Sequence, residues 1–212
     1  MAATLFHNIT LILPDALMAD AALVIENGRI RAFGLTAAVD APGGADVVDG
    51  GGGFLAPGFI DLHIHGIHEC LVDGGAGDLA AMCATLPAHG VTGFLPTLCP
   101  RPGGEDVAYI RELAQTPCRG ANVLGFHLEG PCLALTGALP PEALGPLTAK
   151  RIDDLARAAS PLKMIYSVSP DFPDVMPLIR LMSRDHTPVF MTHTQANVPQ
   201  TQAAIEAGAN HA

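Results

Sequence analysis

The chain has 212 residues, of which 49% are hydrophobic and 15% are charged, a composition typical of a globular protein and unlike that of a disordered one. Its formal charge of −10 and the lack of a basic cluster argue against a nucleic-acid or membrane partner and favour a small-molecule substrate. No secretion signal or membrane-spanning run is present, and the five cysteines form no CxxC pair, which predicts reduced thiols and a cytoplasmic protein.

Short apolar runs in the first 49 residues predict β-strands. Asn27-Gly28 separates two of these runs, and this dipeptide between strands is a strong hairpin signal. A glycine run at residues 50–53 then predicts a domain junction, which gives a β domain over residues 1–53 and a second domain over residues 54–212. The three predicted strand segments of the first domain are Thr10–Leu13, Ala22–Glu26 and Arg29–Phe33.

From Phe54 onwards, apolar strands alternate with amphipathic helices, which predicts an α/β fold with a parallel sheet. The absence of a dinucleotide-binding fingerprint favours a β/α barrel over a doubly wound sheet, and about five of the eight strands of a TIM-type barrel are present. The predicted strands are Phe54–His63, Val91–Thr97, Val123–Glu129, Lys163–Val168 and Val189–His193. The predicted helices are Asp78–His89, Glu105–Ala114, Lys150–Ala159, Asp174–Arg184 and Gln200–Ala207.

Polar residues suited to chemistry collect at the carboxyl ends of the predicted strands, where barrel enzymes place their active sites. His63 and His65 alternate along one strand and therefore share a face, and imidazole binds zinc and iron well. Glu129 and His193 end two further strands. Each has a structural alternative. His63 and His65 could be a surface pair, Glu129 could cap a helix, and His193 could be a core histidine. His127 shares the face of Glu129, either as an outer-shell donor or as a packed side chain.

Four segments together resemble the N-acetylglucosamine-6-phosphate deacetylase family of the amidohydrolase superfamily, from about Leu5 to the end of the chain. The PGFIDLHIHG run is shared across the superfamily, whereas GFHLEGP is more specific to the deacetylases. The segments are Pro57 to Gly66 (PGFIDLHIHG), His89 to Thr97 (HGVTGFLPT), Gly125 to Pro131 (GFHLEGP) and Thr192 to Ala196 (THTQA).

The resemblance implies that Glu129 and His193 hold a divalent metal, zinc or iron, while His63 and His65 line a second metal site. It also implies that Ala138 contacts an amino-sugar phosphate, that the opening strands belong to a β-sandwich, and that the full-length protein is a homodimer. Leu139 departs from the family, in which many members have a histidine at this place.

The resemblance further implies a third histidine ligand and a catalytic aspartate beyond Ala212, so no general base is expected within the chain. We therefore expect the chain to be a truncated and inactive portion, with Val189–His193 as an unpaired sheet edge that promotes association. Two alternatives remain open at this point. One is another amidohydrolase, of the cyclic amidase or aminoacylase type, in which a carboxylated lysine bridges two metals, and the other is a non-catalytic fragment.

Overall fold

The computed structural model describes residues 3–212, apart from the side chain of Glu142, and the chain forms two compact units that divide after Gly58. The first unit is a five-stranded sheet in the order β3-β2-β1-β4, and β5 also pairs with β1. Its strands are β1 (Ala3–Ile12), β2 (Leu17–Glu26), β3 (Arg29–Leu35), β4 (Asp46–Asp49) and β5 (Phe54–Leu55).

The predicted hairpin is confirmed, because β2 and β3 pair antiparallel with Glu26 opposite Arg29. Asn27 and Gly28 have φ angles of 54° and 74°, as a two-residue hairpin turn with the twist of its strands requires. The predicted single strand Phe54–His63 is wrong. Phe54 pairs with Thr10 of β1, and the next strand begins at Phe59, since Pro57 between them has no N–H to donate to a sheet.

The second unit contains a curved parallel sheet in the order β6-β9-β11-β12-β13, with helices in the connections. This arrangement confirms the predicted partial barrel. Its strands are β6 (Phe59–Ile64), β7 (Gly66–Ile67), β8 (Cys70–Leu71), β9 (Val91–Leu98), β10 (Asn122–Val123), β11 (Gly125–Glu129), β12 (Lys163–Val168) and β13 (Val189–Met191). Its helices are α1 (Ala76–Thr85), α2 (Glu105–Ala114), α3 (Ala149–Ala159), α4 (Met176–Met182) and α5 (Val198–Ala207).

The core of the second unit lies between this sheet and its helices. Two of these helices begin at a side chain that accepts a hydrogen bond from the first turn: Thr148 accepts from Arg151 N at 3.2 Å before α3, and Asn197 forms a reciprocal capping box with Gln200 before α5. Each helix buries one apolar face, and burial of one such side chain contributes roughly 1.5–3 kcal/mol. Fully buried members of the core include Leu79, Met82, Phe94, Ile110, Phe126, Leu128, Leu155, Tyr166, Val168 and Ile179.

Two further strands of this sheet differ from the prediction by more than one residue. The segment Val123–Glu129 is interrupted at Leu124, whose N–H bonds the carbonyl of Phe94, so β10 and β11 are separate strands along β9. The fifth barrel strand ends at Met191, before His193.

The expected unpaired edge at this fifth strand is wrong. Met191 N donates to His211 O at 2.9 Å, and Phe190 forms a parallel bridge with His211. Residues after α5 therefore cover the backbone of β13. Within residues 3–212, no helix is both long and apolar enough to cross a membrane.

Candidate metal centre

His63 and His65 lie at the carboxyl end of β6 and point to the same side of the strand. The backbone between them is fixed from a neighbouring strand, because Ile64 N donates to Thr97 Oγ1 at 3.1 Å. His63 N also donates to Asp61 Oδ1 at 3.0 Å. As a result, the two Nε2 atoms lie 3.2 Å apart.

Glu129 is the last residue of β11, and its side chain, 9% exposed, meets three imidazoles. Its Oε1 atom lies 2.9 Å from His193 Nε2 and 3.7 Å from His63 Nε2, and its Oε2 atom lies 3.0 Å from His65 Nε2. The expected proximity of Glu129 and His193, 64 positions apart in the chain, is confirmed. We call His63, His65, Glu129 and His193 the His/Glu cluster.

The spacing inside the His/Glu cluster fits a divalent cation. Zinc–ligand bonds of about 2.0–2.2 Å in a tetrahedron place neighbouring ligand atoms about 3.3–3.6 Å apart, close to the separations of this cluster. The ligand atoms of His63, His65 and Glu129 all lie within 4.8 Å of one another, and His193 joins them through Glu129. Nitrogen and carboxylate oxygen form a donor set that suits zinc or iron.

The electrostatics of the cluster favour an ionised carboxylate. Burial raises the pKa of Glu129, but hydrogen bonds from His65 and His193 and the charge of His63 outweigh it and lower the pKa to about 2. Burial lowers the pKa of His63, while the hydrogen bond to Glu129 raises the pKa of His65. The carboxylate thus provides a negative charge that a bound cation neutralises.

His127 lies beneath the cluster and is 1% exposed. Its ring packs edge-on against His63 with centroids 5.1 Å apart, while Nδ1 lies 3.2 Å from Leu62 O and Nε2 lies 2.8 Å from Ser167 Oγ. Burial lowers its pKa to about 4, so the ring is neutral near pH 7. These contacts position His127 next to β6, and its role as an outer-shell donor stays a prediction.

A cavity of about 330 Å³ opens beside the cluster, and Ala138 lies in its wall; its contact with a substrate stays a prediction. The loop that carries Ala138 packs on His193, since a Cβ added to Gly137 (φ 57°) would lie 2.5 Å from His193 Cε1. Burial raises the pKa of the nearby Cys99 thiol to about 11, which keeps it protonated near pH 7. The lining residues are His65, Leu71, Asp73, Cys99, Glu129, Ala138, Leu139 and His193.

Several residues around the cluster were not predicted from the sequence as part of the site. Thr97 and Cys99 follow the same signal as the predicted ligands, because each lies at the carboxyl end of β9. Ser169 follows β12 and bonds the backbone at His193, but a serine before a proline in a loop carries no signal for that contact.

Comparison with known proteins relates the chain to deacetylases of amino-sugar phosphates. The chain is 31% identical over 193 residues to the N-acetylgalactosamine-6-phosphate deacetylase of Escherichia coli O157:H7, with 88% of the chain and 51% of that protein covered. It is 33% identical over 174 residues to the N-acetylglucosamine-6-phosphate deacetylase of Mus musculus, with 76% and 42% covered. The chain is a relative of the N-acetylglucosamine-6-phosphate deacetylases. It spans about half the length of the curated relatives that it matches, and no protein-family profile matches it.

Solved structures agree with this relationship to the deacetylases. The crystal structure of N-acetylglucosamine-6-phosphate deacetylase from Pasteurella multocida superimposes with a TM-score of 0.84 at 25% identity, covering 98% of this chain and 55% of that one. A deacetylase variant from Mycobacterium smegmatis, in complex with N-acetyl-D-glucosamine-6-phosphate, gives a TM-score of 0.81 at 25% identity, with 99% and 55% covered.

Proposed function

We propose that this chain contributes the metal-binding end of an enzyme that hydrolyses the N-acetyl group of N-acetylglucosamine 6-phosphate to glucosamine 6-phosphate and acetate. The observation that carries the proposal is the buried carboxylate of Glu129 among three imidazoles at the carboxyl ends of parallel strands. The names of the related enzymes support the acyl-sugar substrate.

Glu129 and His193 would hold the principal divalent cation, and His63 and His65 would hold a second one or complete the first. A divalent cation held here would supply Lewis-acid chemistry, by activating a water molecule and polarising the acetamide carbonyl. The protein itself orients the four ligands, and the cavity wall at Ala138 positions the sugar beside them. Whether one or two cations bind, and whether they are zinc or iron, stays a prediction.

The cyclic amidase or aminoacylase alternative requires a lysine beside the cluster. The chain has two lysines, and neither meets this requirement. Lys163 is the first residue of β12, whereas the His/Glu cluster lies at the carboxyl ends of the strands. Lys163 Nζ donates to Asp185 O at 2.7 Å. Lys150 lies on α3 with Asp154 as its partner. These positions argue against a bridging carboxylated lysine.

The identity of the sugar depends on the cavity wall. Leu139 contributes an apolar surface to the cavity. The relative from Escherichia coli O157:H7 is named for the galactosamine isomer, so both sugars should be tested. We also propose a cytoplasmic location, which the five free thiols support. The homodimer stays a prediction.

Metal titration of the chain tests the proposal directly. Chelator-treated protein should bind zinc or iron, measured by calorimetry, and His193→Ala should weaken the binding, whereas His186→Ala, at an exposed histidine, should not. A version extended to the length of the relatives should release acetate from one or both acyl-sugar phosphates only when metal is present. Equal metal binding by both variants, or release that is independent of metal, would contradict the proposal.

A further inference from the structure

Ser169 is completely buried just after β12 and joins the two segments that carry Glu129 and His193. Its N–H donates to Cys132 O at 2.8 Å, and its hydroxyl oxygen accepts from Ala134 N at 2.9 Å. Both of these partners follow Glu129 in the chain. The same side chain therefore fixes the start of the loop that extends to Ala138.

The Ser169 hydroxyl also reaches the turn at the other ligand. Its Oγ atom lies 2.9 Å from Thr192 O and 2.8 Å from His193 O. One hydroxyl proton is available, so the two carbonyls share it. Leu135 N donates to the same His193 carbonyl at 2.9 Å, and this carbonyl is therefore held from two directions.

His193 needs this support because its backbone is in an unfavourable conformation. Its φ angle of 50° is in the left-handed region, which residues other than glycine rarely occupy. Thr192 N is bonded to Val168 O at 3.0 Å before it, and Asp171 accepts from Thr194 Oγ1 and Gln195 N after it. These bonds turn the chain sharply at His193, and its Nε2 then faces Glu129 at 2.9 Å.

We propose that Ser169 is a positioning residue whose hydroxyl holds the His193 backbone in the left-handed conformation and thereby directs its imidazole to Glu129. The metal-affinity consequence rests on the proposed function, whereas the geometric consequence does not. Removal of the hydroxyl leaves the His193 carbonyl with one fewer donor, so the turn should relax toward an extended conformation. The matched control is Ser183, which directly follows α4; its hydroxyl donates to the carbonyl of Ala207, the last residue of α5, and makes no contact with the cluster.

The test compares Ser169→Ala, Ser169→Thr and Ser183→Ala by crystallography and by Zn²⁺ titration. In Ser169→Ala we expect His193 to leave the left-handed region or to lose its hydrogen bond to Glu129, with zinc affinity lower by roughly 10- to 100-fold. Ser169→Thr retains a hydroxyl and should restore both properties, and Ser183→Ala should match the wild type. If the alanine variant fails to fold, Ser169→Cys, which keeps the volume, replaces it in the crystallographic comparison.

The outcomes separate this inference from the proposed function. An unchanged His193 φ and an unchanged Nε2–Oε1 distance in Ser169→Ala would overturn the positioning role, whatever the zinc result. Wild-type protein that binds no zinc would count against the proposed function. The crystal structures would still decide whether Ser169 sets the direction of His193.

Discussion

Two buried carboxylates in the second unit, Asp106 and Glu129, are neutralised in different ways. Asp106, on α2, is fully buried and receives a two-pronged contact from Arg151 of α3, with Nε 3.2 Å from Oδ1 and Nη2 hydrogen-bonded to Oδ2. Arg151 Nη2 also donates to Arg101 O at 2.8 Å, so this network is complete. Among the residues that the structure describes, the ion-pair partners of Glu129 are all imidazoles.

The difference teaches how a structural ion pair is distinguished from a candidate ligand set. A guanidinium is always charged and has no lone pair to offer, so the contact between Asp106 and Arg151 holds two helices together and cannot bind a cation. An imidazole near its pKa can give up its proton and present a nitrogen lone pair to a cation. Glu129 can therefore give up its hydrogen bonds to the imidazoles and bind a metal ion together with them.

The largest expected effect is the loss of stability when the ion pair between Asp106 and Arg151 is broken. Arg151→Met keeps much of the side-chain volume but leaves the fully buried Asp106 without its cation, and we expect the free energy of unfolding to fall by about 3–5 kcal/mol. Urea unfolding measures this change. The adjacent Lys150→Ala removes an exposed pair with Asp154 and should have no measurable effect. Similar losses in the two variants would show that burial does not distinguish these pairs.

Glu129→Gln tests whether Glu129 acts as a metal ligand and not as a structural ion-pair partner. The amide keeps the shape of the side chain but removes its charge, so zinc affinity should fall by at least about tenfold. The unfolding free energy without metal should change much less than in Arg151→Met, because the neutral amide can still form hydrogen bonds with the neighbouring imidazoles. Calorimetric titration and urea unfolding provide the two measurements, with the exposed Glu112→Gln as the control. A large loss of stability with intact zinc binding would make Glu129 a structural residue.

The smallest effect concerns Tyr166, which is 2% exposed and lies near α3 with its hydroxyl 3.5 Å from Ile152 O. Burial, followed by the charges of Asp153 and Asp106, raises its pKa. A raised pKa in the folded state means that its contribution to stability is present below about pH 10 and is lost as the pH rises above that value, by about 1.4 kcal/mol per pH unit.

Tyr166→Phe should remove this loss, so its unfolding free energy should be less dependent on pH above about pH 10 than that of the wild type. The chain has two tyrosines and no tryptophan, so phenolate absorbance follows both residues cleanly. Titration of both tyrosines near about pH 10 in the folded protein would contradict the burial of the Tyr166 hydroxyl.

The sequence predicted what depends on periodicity and missed what depends on tertiary contacts. The bounds of α2 and β12 match the prediction residue for residue, since apolar residues recur at helical spacing in α2 and run through most of β12. The pairing of Asp106 with Arg151 joins helices 45 positions apart, and no local pattern indicates it. The left-handed turn at His193 was predicted as strand, because its cause, the hydroxyl of Ser169, lies 24 positions away.

The glycine beside His193 shows how a position without a side chain can pass for a functional one. Any Cβ at residue 137 would collide with the imidazole ring, and the φ of 57° independently disfavours every other amino acid. In a saturation-mutagenesis screen, this position should tolerate as few substitutions as a metal ligand does. What the glycine provides there is an empty space, and the shape of that space limits how far the neighbouring ring can rotate.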